Sequence, residues 1–236
     1  MHHVLVDRWS RGASPIHALD PRVKILSLVV FLIVLATTSA NAAVTLTIDA
    51  ALLLAGMLIA GLPPGIVLLR AMVVLPFSLT FGLISWLAGD SLRAIGLIEK
   101  SYLSSIAVLL VVSTTPLPRL LSGLESLGTP RLLVLVAQFL YRYLFVISEQ
   151  AQHMQLAAAS RQGIPGAHRR SRFRAAAGAL AVLFARSYYR AEGIDRAMLA
   201  RGFSGKFPLL KPLRLKFVDG LFLLAMVAFL VVVRIQ

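Results

Sequence analysis

The 236-residue chain contains no cysteine. That excludes a disulfide scaffold, a thiolate metal site and a cysteine nucleophile. Acidic residues are scarce too: 10 Asp and Glu stand against 24 Lys and Arg, a formal net charge of +14. Charge of either sign is thin at 14% of residues, whereas 58% are apolar and the mean hydropathy is +0.82. Soluble domains carry about a quarter charged residues and roughly half apolar ones, so a water-soluble globule does not fit. A chain this apolar and this basic reads as an all-α integral membrane protein with its positive charge gathered on one side.

Catalytic constellations are missing as well. His2, His3, His17, His153 and His168 show neither paired metal spacing nor a Glu-bearing zinc motif, and no G-x-S-x-G occurs. Gly205-Lys206 resembles the end of a phosphate loop, but Phe207 stands where Ser or Thr is required and Ala200 where the first Gly belongs. The chain is therefore expected to be no enzyme and to bind no cofactor. Arg8, Arg11, Arg22 and Lys24 precede the first apolar run without a small-residue cleavage site, so the N-terminus is expected to be retained.

Five apolar stretches read as membrane spans: Val23–Ser39, Ala43–Leu62, Ile66–Gly89, Tyr102–Thr115 and Val218–Val233. Pro63-Pro64-Gly65 stops the second, since neither proline can continue a helix. The linker Asp90–Lys100 balances two bases against two acids and is expected outside. Leu132–Ile147 is nearly as apolar, yet a crossing there would carry Arg161, Arg169, Arg170, Arg172 and Arg174 to the outer side, against the positive-inside rule. Arg131, Gln138, Arg142 and Glu149 also share one helical stripe. This segment is thus expected to lie along the membrane face or to enter it partly; the alternative is a sixth span with a polar face turned to a bundle. Asp49 and Arg70 are the intramembrane charges singled out, Arg70 being expected to reach back to the cytoplasmic interface.

Residues 116–216 hold 16 bases and four acids, a net of +12. The expected organisation follows: an N-terminal membrane region (1–115, four helices), a cytoplasmic or interfacial helical coupling domain (116–216) and a last membrane helix (217–236), with the N-terminus in the cytoplasm. Two long helices are expected in the middle block, Arg131–Arg161 and about Arg174 to Arg201. Their ends match: Ser160-Arg161-Gln162-Gly163 and Ala200-Arg201-Gly202 both place an arginine before a glycine stop. Arginine there suits the negative pole of the helix dipole and offers a planar fork to a partner's carboxylate. The basic cluster Arg169–Arg174 suits anionic lipid headgroups.

These residues resemble the transmembrane coupling component of energy-coupling-factor transporters, the EcfT/CbiQ family, with the cobalt-type CbiQ subgroup favoured. The likeness rests on Ser14-Pro15-Ile16-His17-Ala18-Leu19-Asp20-Pro21-Arg22-Val23-Lys24, on Thr114-Thr115-Pro116, on Leu127-Gly128-Thr129-Pro130-Arg131 leading to Tyr141-Arg142-Tyr143, and on the two arginine-bearing ends. The resemblance implies a non-catalytic subunit of the bacterial cytoplasmic (inner) membrane. It links two ABC ATPases, which hydrolyse ATP, to a substrate-binding membrane subunit of CbiM-like kind. Cobalt or nickel is the implied cargo, biotin or another vitamin the alternative; nucleic acid is not an implied partner. Ser160, Arg161, Gln162, Ala200, Arg201 and Gly202 are the implied ATPase-coupling residues, although Ser160 and Gln162 depart from the family's Ala-Arg-Gly at both flanks. A lipid-modifying membrane enzyme and a lipid-binding structural protein are the rival classes. The enzyme would need clustered Asp, His or Glu, and the 10 acids here are scattered.

Overall fold

The computed structural model describes residues 9–10, 12, 14–39, 43–161, 169–203, 205 and 215–235. All regular structure among them is helical: α1 (Pro15–Ala18), α2 (Pro21–Thr37), α3 (Ala43–Ala60), α4 (Pro64–Ala71), a 3-10 turn (Met72–Val74), α5 (Leu75–Leu87), α6 (Ser91–Thr114), α7 (Leu117–Ser126), α8 (Arg131–Arg161), α9 (Arg169–Ala200) and α10 (Phe217–Ile235). Pro64–Leu87, Ser91–Thr114 and Arg131–Ser160 are long and apolar enough to cross a membrane, and Val44–Ala60 and Phe217–Val232 are shorter apolar helices. The chain is an all-α membrane protein.

Local chemistry sets the boundaries. Asp20 caps α2, its Oδ1 accepting from the Arg22 N–H at 2.9 Å, with Pro21 in the first turn where no donor is needed. Pro76 explains the 3-10 turn: lacking an N–H, it cannot bond back to Met72. One expectation is corrected here. Asp90–Lys100 is not a linker, because Asp90 caps α6 by accepting the Arg93 N–H at 3.0 Å and the helix runs on through Lys100. Gly82 lets α5 lie close against this stretch, since a Cβ there would stand 2.9 Å from Ile98 Cδ1.

The chain divides into two compact units, Met1–Val134 with Leu213–Gln236, and Leu135–Pro212. In the first, α3 turns Leu46, Asp49, Leu53, Met57 and Ala60 inward at helical spacing. Phe31, Leu35, Leu103, Ile106 and Leu230 complete the same core. Phe77, Leu83, Trp86 and Leu87 are each more than half exposed, as suits side chains solvated by lipid.

Three helix ends of this unit are joined by buried charge. Lys24 Nζ donates to the Thr114 carbonyl at 3.0 Å and to Thr115 Oγ1 at 2.8 Å, placing a cation at the negative end of α6. Asp219, in the first turn of α10, accepts the Lys216 N–H at 2.8 Å through Oδ2, which is half of a capping box. Its Oδ1 accepts the Asp20 N–H at 3.0 Å, tying α10 to the cap of α2. Asp20 and Asp219 also supply the negative charge that faces Lys24. Lys24 and Asp219 therefore join Asp49 and Arg70 as buried or half-buried charges within the apolar runs.

Asp219→Ala strands one buried backbone donor, the Asp20 N–H, at about 1–3 kcal/mol, and removes the partner of a half-buried one, the Lys216 N–H, at about 0.5–1 kcal/mol. Roughly 2–3 kcal/mol in all lowers the unfolding midpoint by about 4–12 °C, whereas Asp219→Asn, which keeps one acceptor, loses less than half as much. Thermal unfolding of the detergent-solubilised chain checks this; equal midpoints for Asp219→Ala and wild type would refute the clamp.

Candidate functional site

The second unit is built from α9 and all but the first four residues of α8, helices of 31 and 32 residues. At 1.5 Å per residue each is about 45–50 Å long. Among the described residues from 135 to 203 no side chain is buried. Along the seam between the helices, Phe139, Tyr143 and Ile147 of α8 and Ser187, Ile194 and Met198 of α9 border a cavity of about 370 Å³. Phe139 and Tyr143 stack with centroids 6.3 Å apart. Leu140, Leu144, Phe184, Tyr188, Tyr189 and Leu199 of the same two helices are exposed. Helices of this kind owe most of their stability to packing, so surfaces left this open call for partners.

The end of α9 is sharply defined. Gly202 adopts φ +73, and its N–H donates to the Leu199 carbonyl at 3.0 Å while the Phe203 N–H reaches the Met198 carbonyl at 3.0 Å. This pair of bonds is a Schellman motif, which satisfies the last carbonyls and turns the chain back. Phe203 and Met198 border the seam cavity together, the apolar contact that accompanies the motif. Ala200, Arg201 and Gly202 are left exposed at the tip. The geometry thus places a permanently charged guanidinium beside two residues with little or no side chain, on a helix end that other donors and acceptors have already satisfied.

At the other end, Arg161 is the last residue of α8. Ser160 is exposed, its hydroxyl donating to the Leu156 carbonyl at 2.7 Å. The Arg161 side chain and the whole of Gln162 lie outside the described residues. Within α9, Glu192 and Arg196 pair at 2.9 Å, with both side chains about half exposed or more, where such pairs contribute little. Of the polar stripe on α8, Arg131 faces Glu125 of α7 at 3.8 Å, and Glu149 faces His153 at 3.8 Å.

The two charges singled out from sequence have distinct surroundings. The Arg70 guanidinium lies 4.7 Å from the centroid of the Trp9 ring, a cation–π contact. Asp49 is 1% exposed on the inward stripe of α3, and neither carboxyl oxygen has a hydrogen-bond partner among the described residues. Lys24 and Asp219 escaped sequence reasoning because each sits in the first turn of its apolar run, where a charge reads as interfacial. The signal that could have found Asp219 is its spacing of three from Lys216, the capping-box interval. Among the described residues no three His, Asp or Glu side chains gather as a metal site.

Gly202→Ala forces a side chain into the left-handed region at roughly 1–2 kcal/mol, whereas Gly178→Ala, inside α9 with open space around it, stabilises the helix by about 0.5–1 kcal/mol. Limited proteolysis of the second unit should therefore run faster in the first variant and slower in the second; the same direction of change in both would contradict the assigned cap.

Comparison with known proteins identifies the family. A family model described as the cobalt transport protein CbiQ matches residues 12–211. A cobalt transport protein CbiQ of Rhodobacter capsulatus is 34% identical over 122 residues, 51% of this chain, which spans only 49% of that relative. An energy-coupling factor transporter transmembrane protein EcfT of Bacillus selenitireducens is 28% identical over 229 residues, 86% of this chain and 84% of the relative. The matched region takes in the clamp residues Asp20, Lys24 and Thr114 as well as both arginine-bearing helix ends. The chain belongs to the CbiQ family of cobalt transport proteins.

Proposed function

We propose that this chain is the transmembrane coupling subunit of an energy-coupling-factor importer in the bacterial cytoplasmic membrane. The first unit sits in the bilayer, and the second meets two cytoplasmic ABC ATPases. A substrate-binding membrane subunit of CbiM-like kind captures the cargo, and this chain transmits to it the motion that ATP hydrolysis drives in the ATPases. The supporting observation is the end of α9, where a Schellman cap presents Arg201 between Ala200 and Gly202. A guanidinium there donates two parallel hydrogen bonds to a carboxylate, and the small flanks allow close approach. Arg161, closing α8, is the second coupling arginine, with Ser160 and Gln162 beside it. The net +12 of residues 116–216 supports a cytoplasmic position for this block and for the N-terminus.

Family membership supports cobalt as the cargo, and the resemblance of the sequence adds nickel beside it. The alternative cargo is a vitamin such as biotin, as the resemblance of the sequence implies. Uptake of labelled cobalt, nickel and biotin by cells expressing the assembled transporter separates the two.

Arg161→Glu and Arg201→Glu together should abolish uptake and weaken ATPase copurification at least tenfold. Arg201→Lys, which keeps the charge but loses the fork, should fall between wild type and the charge reversal. Intact assembly and uptake in the double variant would overturn the proposal.

A further inference from the structure

Helices α2 and α6 are clasped at both ends, each time by a lysine of one on a terminal carbonyl of the other. Lys24 of α2 donates to the Thr114 carbonyl that closes α6, and Lys100 of α6 donates to the Thr38 carbonyl at the end of α2. Each cation thus sits at the negative pole of the neighbouring helix. From 24 to 38 and from 100 to 114 are fourteen positions each, so the clasps stand about 21 Å apart along both helices. Phe31 and Leu35 of α2 share the core between them with Leu103, Ile106 and Ala107 of α6. Sliding either helix along the other breaks both clasps, so the pair behaves as one rigid post.

Both connections to the second unit are fastened to one end of this post. The chain leaves the membrane unit after Val134 and re-enters it at Leu213. On the outgoing side Lys24 also donates to Thr115 Oγ1 at 2.8 Å, and α7, which follows directly, packs against α2. Gly123 makes that packing close, since a Cβ there would stand 3.2 Å from Ile25 Cδ1 and 3.3 Å from Pro21 Cβ. Glu125 of α7 then faces Arg131, the first residue of α8, at 3.8 Å, and Val134 is buried. On the returning side Asp219 takes the Asp20 N–H at 3.0 Å. Residues 20–25 therefore hold the outgoing and the returning chain alike, and neither is carried on a slack loop from the post.

Given the coupling role proposed above, we propose that Lys24 and Gly123 are positioning residues for it. They make the connections of the second unit fast to the α2–α6 post, so that its displacement is passed to the membrane unit. The assembled transporter, reconstituted in liposomes and offered labelled cobalt, nickel and biotin separately, tests this through the cargo imported per ATP hydrolysed. Lys24→Met removes one clasp and the hold on Thr115, and Gly123→Leu wedges α7 off α2. Complexes of either variant that retain the ATPases should hydrolyse ATP at about half the wild-type rate or faster, yet import roughly fivefold less cargo per ATP. Gly123→Ala, which asks its neighbours to give only a few tenths of an ångström, should fall between, and it keeps the comparison open where the larger changes prevent folding. A merely structural role lowers the amount of complex and leaves the ratio unchanged, so a wild-type ratio in the assembled variants overturns the positioning role alone. A wild-type chain that copurifies with no ATPase overturns the coupling role, and the positioning role with it.

Discussion

The membrane unit depends on a clamp of opposite charges at three helix ends. A lysine at the negative end of α6 and two aspartates at the positive ends of α2 and α10 each oppose the local dipole and occupy backbone groups that would otherwise be buried without partners. Each charge is costly in isolation, because removal from water is tolerable only when fixed partners replace it. Together they hold positions 20, 24, 114, 115 and 219 at one place although up to 199 residues separate them. The clamp fastens α10 at its first turn, shortly after the chain returns at Leu213 from the second unit. Whatever the second unit does, α10 is bonded back into the membrane core.

The second unit obeys the opposite rule. Its helices are long, yet among the described residues between 135 and 203 none is buried. What order it has comes from the aromatic seam around Phe139 and Tyr143, and from the Schellman turn that folds Phe203 back toward it. Such a unit is marginal by itself and gains stability when partners cover it. A region with low intrinsic stability is also one that moves readily, which suits the coupling role proposed for it.

What the sequence revealed and what it concealed divide along one line. Features set by neighbours in the chain were legible in the glycine after Arg201, but the stop expected at Pro63-Pro64 falls earlier. Gly61, at φ +68, caps α3, its N–H donating to the Leu58 carbonyl and the Leu62 N–H to that of Met57, and Pro64 opens α4. The hydropathy and charge pattern likewise marked a helical membrane protein. Asp90 was misjudged because a short charged stretch between apolar runs looks like a loop, yet the same aspartate is a sound N-cap for a helix running through Lys100. The clamp was out of reach for a different reason. Lys24 with Thr114, and Asp20 with Asp219, are pairings over some 90 and 199 positions, and no periodicity in one sequence records them. Even so, the stretch ending at Lys24 and the separate stretch Thr114-Thr115-Pro116 both carry the family resemblance, and in the structure they touch. The orientation of Arg201 stood between these cases: Gly202 announced the turn, but only the fold shows Phe203 and Met198 bordering the same seam.

The tip of α9 is proposed to dock on a cytoplasmic ATPase. A photo-crosslinking amino acid placed at Ala200, in the assembled transporter in native membranes, tests it most directly. The account predicts a crosslink to an ATPase subunit that is lost when Arg201 is reversed to Glu. Crosslinking to lipid or to the substrate-binding subunit alone, with no ATPase adduct, would contradict it.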